Sequence, residues 1–176
     1  SAYPPSVTGA MMSNFAGGGA ASTVFARTLG VPLTVFDVGV ESEYAPSDVV
    51  VRAPRAGHAG DLRTEDALDA AAFEAAWSAG TRAIEGLGGD VRVVLFGEMG
   101  IGNTTPAAAV AAALLGRPAT DLVGPGTGVA GDALLHKRRV VEDALDRVGP
   151  LAPAAGRDAL RLLGGRPGGR RGGGPI

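Results

Sequence analysis

The sequence predicts an α/β fold, a doubly wound parallel sheet flanked by helices, and three observations carry that prediction. Residues 31–40 are apolar on both faces, the pattern of a strand buried in a parallel sheet that is covered on two sides. Residues 91–96 form a second short β-branched run that breaks into a glycine-rich loop and then enters a helix at Pro106. Stripes of apolar residues at helical spacing stand before, between and after these runs, as alternation of strand and helix requires.

Taken in order, Val7, Met11, Met12 and Phe15 mark a helix over residues 6–15. Gly17, Gly18 and Gly19 interrupt it, either as a helix break with close packing or as backbone that approaches a ligand. A second helix, 20–29, is expected to end at Gly30 in a left-handed cap. The strand over 31–40 places Asp37 where it ends, at the edge where ligands sit in open α/β sheets; a loop or helix cap is the other use of such an acid. Residues 41–63 read as a polar excursion carrying Arg52, Arg55, His58 and Arg63, with one short strand at 49–51. His58 has no acid at helical or hairpin spacing and reads as solvated. Thr64 is the predicted cap of the next helix, with Glu65 and Asp66 in its first turn and Trp77 in its core-facing stripe, running to about Glu85.

The chain is organised around residues 91–107, VRVVLFGEMGIGNTTPA. Gly97, Gly100 and Gly102 let main chain come close to a ligand, a threonine hydroxyl can cap the helix that follows, and Pro106 suits its first position. Amides at the positive end of a helix dipole favour a phosphate. Glu98 lies inside this loop, so it either faces away from the anion or has chemical work. The spacing matches neither G-x-x-x-x-G-K-[ST] nor G-x-G-x-x-G, which disfavours a dinucleotide-dependent oxidoreductase. Residues 106–115 form a small-residue helix stopped by Gly116, Arg117 and Pro118. Residues 121–129, DLVGPGTGV, supply a second glycine loop at Gly124, Gly126 and Gly128, the other wall of a crevice. Asp132 is expected to cap a helix to about Val148, on which Leu134, Lys137, Val141, Leu145 and Val148 share a face. Lys137 either snorkels outward from that stripe or points its ammonium at a phosphate.

Composition sets limits. A net charge of −2 over 176 residues gives no electrostatic footprint for nucleic acid or an anionic membrane. With no cysteine there is no disulfide and no thiolate chemistry, and two isolated histidines argue against a structural zinc. No apolar run approaches the roughly 20 residues that cross a bilayer. The expectation is a soluble, cytoplasmic protein with no metal and no cofactor.

The string GEMGIGNTTPAAA resembles the signature of the nicotinate-nucleotide:dimethylbenzimidazole phosphoribosyltransferase family of cobalamin biosynthesis. SAYPPSVTGAMMSNFAGGGAA near the start, LTVFDVGV at 33–40 and VGPGTGVAGDALLHKRRVVEDAL at 123–145 resemble further blocks of that family in the family's order, covering residues 1 to about 148. The resemblance implies a Rossmann-like core over residues 1–165 that lacks the family's N-terminal and C-terminal parts. It implies transfer of the phosphoribosyl group of nicotinate mononucleotide to 5,6-dimethylbenzimidazole, with no cofactor, in a homodimer. It places Gly100, Gly102, Asn103, Thr104, Thr105, Gly126 and Lys137 around phosphate and ribose, and Glu98 beside the incoming ring as a supporting acid or base. Tyr3, Met11 and Met99 would border the base, and Asp37 the crevice floor.

The chain also departs from the family pattern. A glutamine often found near the positions of Ala10 and Met11 is absent, and the family's main catalytic glutamate, far downstream, has no counterpart. Residues 157–165, RDALRLLGG, suggest one more helix, whereas 166–176, RPGGRRGGGPI, lose all apolar periodicity and are expected to be a disordered tail from a truncated or frame-shifted end. A non-catalytic phosphometabolite-binding domain, or an incomplete product that does not fold alone, are the alternatives.

Overall fold

The computed structural model describes residues 3–4, 6–40, 42–53, 59–152 and 155–165, and these form a helix-rich α/β arrangement with a small parallel sheet. The elements are α1 (Ser6–Ala16), α2 (Ala21–Leu29), β1 (Val35–Asp37), β2 (Val50–Arg52), α3 (Ala70–Glu85), α4 (Thr104–Leu115), α5 (Ala119–Leu122), α6 (Gly131–Val148) and α7 (Gly156–Leu163). β1 and β2 pair in parallel, with Val35 opposite Val50 and Asp37 opposite Arg52.

The main core forms where α4 packs against α6 and α7. Ala108, Ala109 and Ala112 bury the inner face of α4, and their small size lets Val141, Ala144 and Leu163 close on the helix backbone. A second cluster, Ala67, Leu68, Ala72 and Phe73, joins this core through Leu62. Its chain segment is sewn to α7 by backbone bonds, Ala67 N–H to Leu162 O and Leu68 N–H to Arg161 O, both 3.0 Å. Asp66 beside them accepts from Arg147 at 3.0 Å and from Arg161 at 2.6 Å. A third cluster seats α1 on the sheet through Met12, Val40 and Tyr44. Here α1 comes so close that a Cβ on Gly9 would lie 2.4 Å from Ser42 Cβ. The seat of α1 therefore tolerates no side chain at that position.

The helices over 6–15, 20–29, 106–115, 132–148 and 157–165 and the short strand near 49–51 appear within a residue or two of expectation, and Gly30 takes the left-handed cap. Other expectations are corrected. Residues 91–96 are not a strand: they run as irregular chain with Val93 75%, Leu95 86% and Phe96 81% exposed. A strand exists only with a hydrogen-bonded neighbour, and among the described residues β1 and β2 pair with each other alone. For the same reason the strand expected over 31–40 contracts to the three residues that β2 reaches. The cap of α3 is Asp69, whose carboxylate accepts from Ala72 N–H at 2.7 Å, and not Thr64; Asp66 is drawn instead to two arginines.

Trp77 is 43% exposed and not in the core; its ring lies beneath the Arg157 guanidinium at 4.3 Å, and Arg157 also reaches Glu74 at 2.6 Å. α4 begins at Thr104, so Pro106 occupies its third position rather than its first, still within the turn whose amides lack helical partners, and no side-chain cap bond forms. Asp132 stands in the first turn of α6, with Ala130 at the cap position. The readings of Arg55, His58 and the tail 166–176 fall outside the described residues.

A cavity between two glycine loops

A cavity of about 260 Å³ opens where the loop 97–103 meets the loop 123–130. Gly100, Gly102, Thr104 and Thr105 form one wall and Pro125 with Thr127, Gly128, Val129 and Ala130 much of the other, with His136 and Lys137 reaching in from α6. The fold builds this place simply. α4 and α6 pack side by side through alanine, both start at the same end, and each is entered by a glycine loop.

Lys137 joins the two walls. Its side chain is 8% exposed, and its ammonium donates to Thr104 Oγ1 at 2.7 Å and to the Gly124 carbonyl at 2.9 Å. Two of three N–H donors are thereby occupied, and burial lowers its pKa from the ordinary lysine value. The stem does not snorkel outward. Gly126 fits over this contact with φ +56°, and a Cβ there would lie 2.7 Å from Thr104 Oγ1 and 3.3 Å from Lys137 Nζ.

Across the cavity, the amides at the start of α4 are lightly held. Asn103 N–H and Thr105 N–H make turn bonds of 3.3 and 3.2 Å to Gly100 O and Gly102 O, at the long end of hydrogen-bonding distance. Ile101 N–H instead donates to Thr8 Oγ1, at 3.2 Å. The arrangement offers an anion loosely held amides, three threonine hydroxyls and an ammonium around one hollow.

The structure thus brings Gly100, Gly102, Thr104, Thr105 and Lys137 onto one cavity, with Gly126 packed directly behind Thr104 and Lys137. Asn103 stands beside it and donates through Nδ2 to Glu98 Oε2, and Glu98 is exposed and outside the lining. Tyr3, half-buried Met11 and half-buried Met99 do not line this cavity, and neither does Asp37. Asp37 is 2% exposed and accepts from Gly39 N–H at 2.8 Å, Val40 N–H at 2.7 Å and Tyr44 O–H at 2.6 Å, pinning the turn after β1. Burial, then the Asp37 carboxylate, raise the Tyr44 pKa, and Arg52 counters by donating to the phenol oxygen at 3.2 Å.

Sequence reasoning missed Thr127 and His136 on the cavity, and Thr8, which accepts from the loop behind it. His136 immediately precedes the lysine that carried the anion reading, and that adjacency was its signal. Among the described residues no helix is long and apolar enough to cross a membrane.

Comparison with known proteins agrees with the string-level resemblance. A family described as phosphoribosyltransferase matches residues 1–169. Proteins named nicotinate-nucleotide–dimethylbenzimidazole phosphoribosyltransferase are similar to it: one from Bradyrhizobium sp. strain ORS 278 is 47% identical over 166 residues, and one from Deinococcus radiodurans 42% over 172 residues. Each alignment covers 94% of this chain but 47% and 46% of the relative. A crystal structure of the like-named transferase from Thermus thermophilus superposes with TM-score 0.76 at 37% identity, covering 94% of this chain and 48% of that one. The chain spans about half the length of the curated relatives it matches. By the match over nearly its whole length, the chain belongs to the phosphoribosyltransferase family whose relatives bear the nicotinate-nucleotide–dimethylbenzimidazole name.

Proposed function

We propose that this chain carries the phosphate-and-ribose half of an enzyme that moves the 5-phosphoribosyl group of nicotinate mononucleotide onto 5,6-dimethylbenzimidazole, giving α-ribazole 5′-phosphate and nicotinate. The observation that supports it most is the buried Lys137 ammonium bridging Thr104 and Gly124 at the cavity between the two glycine loops. On this reading Gly100, Gly102, Asn103, Thr104, Thr105, Gly126 and Lys137 hold the phosphate and ribose. A benzimidazole ring nitrogen attacks the anomeric carbon, the bond to the pyridinium nitrogen breaks, and nicotinate leaves with that electron pair. The attacking ring then sheds its N–H proton, for which Glu98, exposed beside the loop, is the proposed acceptor or electrostatic support. Tyr3, Met11 and Met99 border the base, and Asp37 serves the crevice floor through the turn it pins. Holding two rings and a phosphate in register supplies much of the rate.

The remaining family features belong to the same proposal: a doubly wound, Rossmann-like sheet, a homodimer, and a cytoplasmic setting. A turnover assay with nicotinate mononucleotide and dimethylbenzimidazole tests the reaction, with nicotinate release as the expected result. Absence of nicotinate mononucleotide binding in a calorimetric titration would remove the phosphate reading as well. A second reading is favoured by one observation: among the described residues that line the cavity there is no carboxylate. Under it the chain binds phosphate esters without turning them over, and binding without product selects it.

A further inference from the structure

The loop 97–103 is bonded to a residue outside both glycine loops. Among the described residues, its internal contacts are the Asn103 N–H to Gly100 O bond of 3.3 Å and the Asn103–Glu98 side-chain contact. Its C-terminal end is tied to the adjoining α4 by Thr105 N–H to Gly102 O at 3.2 Å and Ala107 N–H to Asn103 O at 3.1 Å, and its middle is tied to α1 by Ile101 N–H to Thr8 Oγ1 at 3.2 Å, across 93 residues of sequence. Ile101 lies between Gly100 and Gly102, both of which line the cavity. Thr8 is a fixed anchor: it is 1% exposed, Gly9 after it abuts Ser42, and Met12 one turn on packs against Val40 and Tyr44.

We infer that Thr8 is a positioning residue for the cavity, its hydroxyl setting the height of the glycine loop against the start of α4 so that a phosphate meets the loop amides and Lys137 together. This inference rests on the phosphate reading above. Glycine-rich backbone samples many conformations, so a loop without this bond spends part of its time away from the binding geometry, and affinity falls in proportion. Losing one neutral hydrogen bond from the bound-like state corresponds to about five- to tenfold.

The test uses the chain as it stands, with Thr8→Val, which keeps shape and removes the acceptor, and Thr8→Ser, which keeps the acceptor. Amide hydrogen exchange is read over 97–103 and over the α4–α6 core, and ribose 5-phosphate is titrated by calorimetry. The expected result is faster exchange around Ile101 in T8V by about five- to tenfold, unchanged exchange in the core, a similar loss of ribose 5-phosphate affinity, and recovery of both in T8S. Loop exchange and affinity in T8V equal to the parent would overturn the inference. Equal acceleration in loop and core would also overturn it, since Thr8 would then act on stability alone. If the parent chain itself fails to bind ribose 5-phosphate, the phosphate reading is removed and the inference with it, an outcome distinct from a parent that binds and a T8V variant that binds equally well.

Discussion

Lys137 sits in a poor place for a charge. Burial lowers its pKa, so between that lowered value and the ordinary 10.5 the unfolded chain binds more protons than the folded one. Stability contributed by this group therefore rises with pH across that window, and below it the penalty for a buried ammonium is present in full. Lys137→Met should leave the melting temperature unchanged or raise it while ribose 5-phosphate affinity drops by about 10- to 100-fold, the range for a charge-assisted hydrogen bond. In the parent, affinity should begin to fall at a lower alkaline pH than for an exposed lysine; a titration series across pH checks both statements. Gly126→Ala places a side chain at φ +56° and 2.7 Å from Thr104 Oγ1, so both melting temperature and phosphate affinity should decrease, with about 1–2 kcal/mol lost to the backbone alone. Glu98→Gln, made in a full-length relative, should lower turnover far more than nicotinate mononucleotide binding; equal losses in the two would assign Glu98 a structural role.

At the scale of elements, helix beginnings separate what the sequence could tell from what it could not. The stripe through Leu134, Val141, Leu145 and Val148 and the glycines after α2 and α4 set those helices correctly, because spacing and stop signals are local. The start of α3 is not legible locally because Thr64 followed by two acids has the same pattern as a cap, while Asp69 makes the cap and Asp66 is pulled toward Arg147 and Arg161 from α6 and α7. That pull is a distant contact no window of sequence contains. Asp69→Ala should cost about 1 kcal/mol in chemical denaturation, as loss of an N-cap does. Burial pushes the Asp66 carboxyl up, but the two arginines outweigh it and hold its pKa below the usual range. Its contribution is present above the unfolded carboxyl value of about 3.9 and is lost as pH falls through the lower folded one. With the Asp66 side chain 37% exposed, water screens both pairs, so Asp66→Asn should cost no more than about 1 kcal/mol at neutral pH.

For the molecule as a whole, the glycine loops, the inward-turned Lys137 and most helices were legible because each depends on residues close in sequence. The sheet was not, since residues 91–96 have strand composition without a strand beside them. Val93, Leu95 and Phe96 consequently face solvent as an apolar ridge, and such ridges bind dyes and associate. Leu95→Lys with Phe96→Lys should lower both light scattering and the fluorescence of a hydrophobic dye while leaving the melting of the α4–α6–α7 core in place. Leu163→Ala, at a fully buried site between α4 and α7, should instead cost about 2–5 kcal/mol and broaden or abolish that melting. The bridge made by Lys137 has one more consequence, in the heat signature of ligand capture. Its four-carbon arm is already frozen between Thr104 and Gly124 before any guest arrives, so the rotamer entropy that a free lysine forfeits on docking, up to about 2 kcal/mol, has been surrendered during folding.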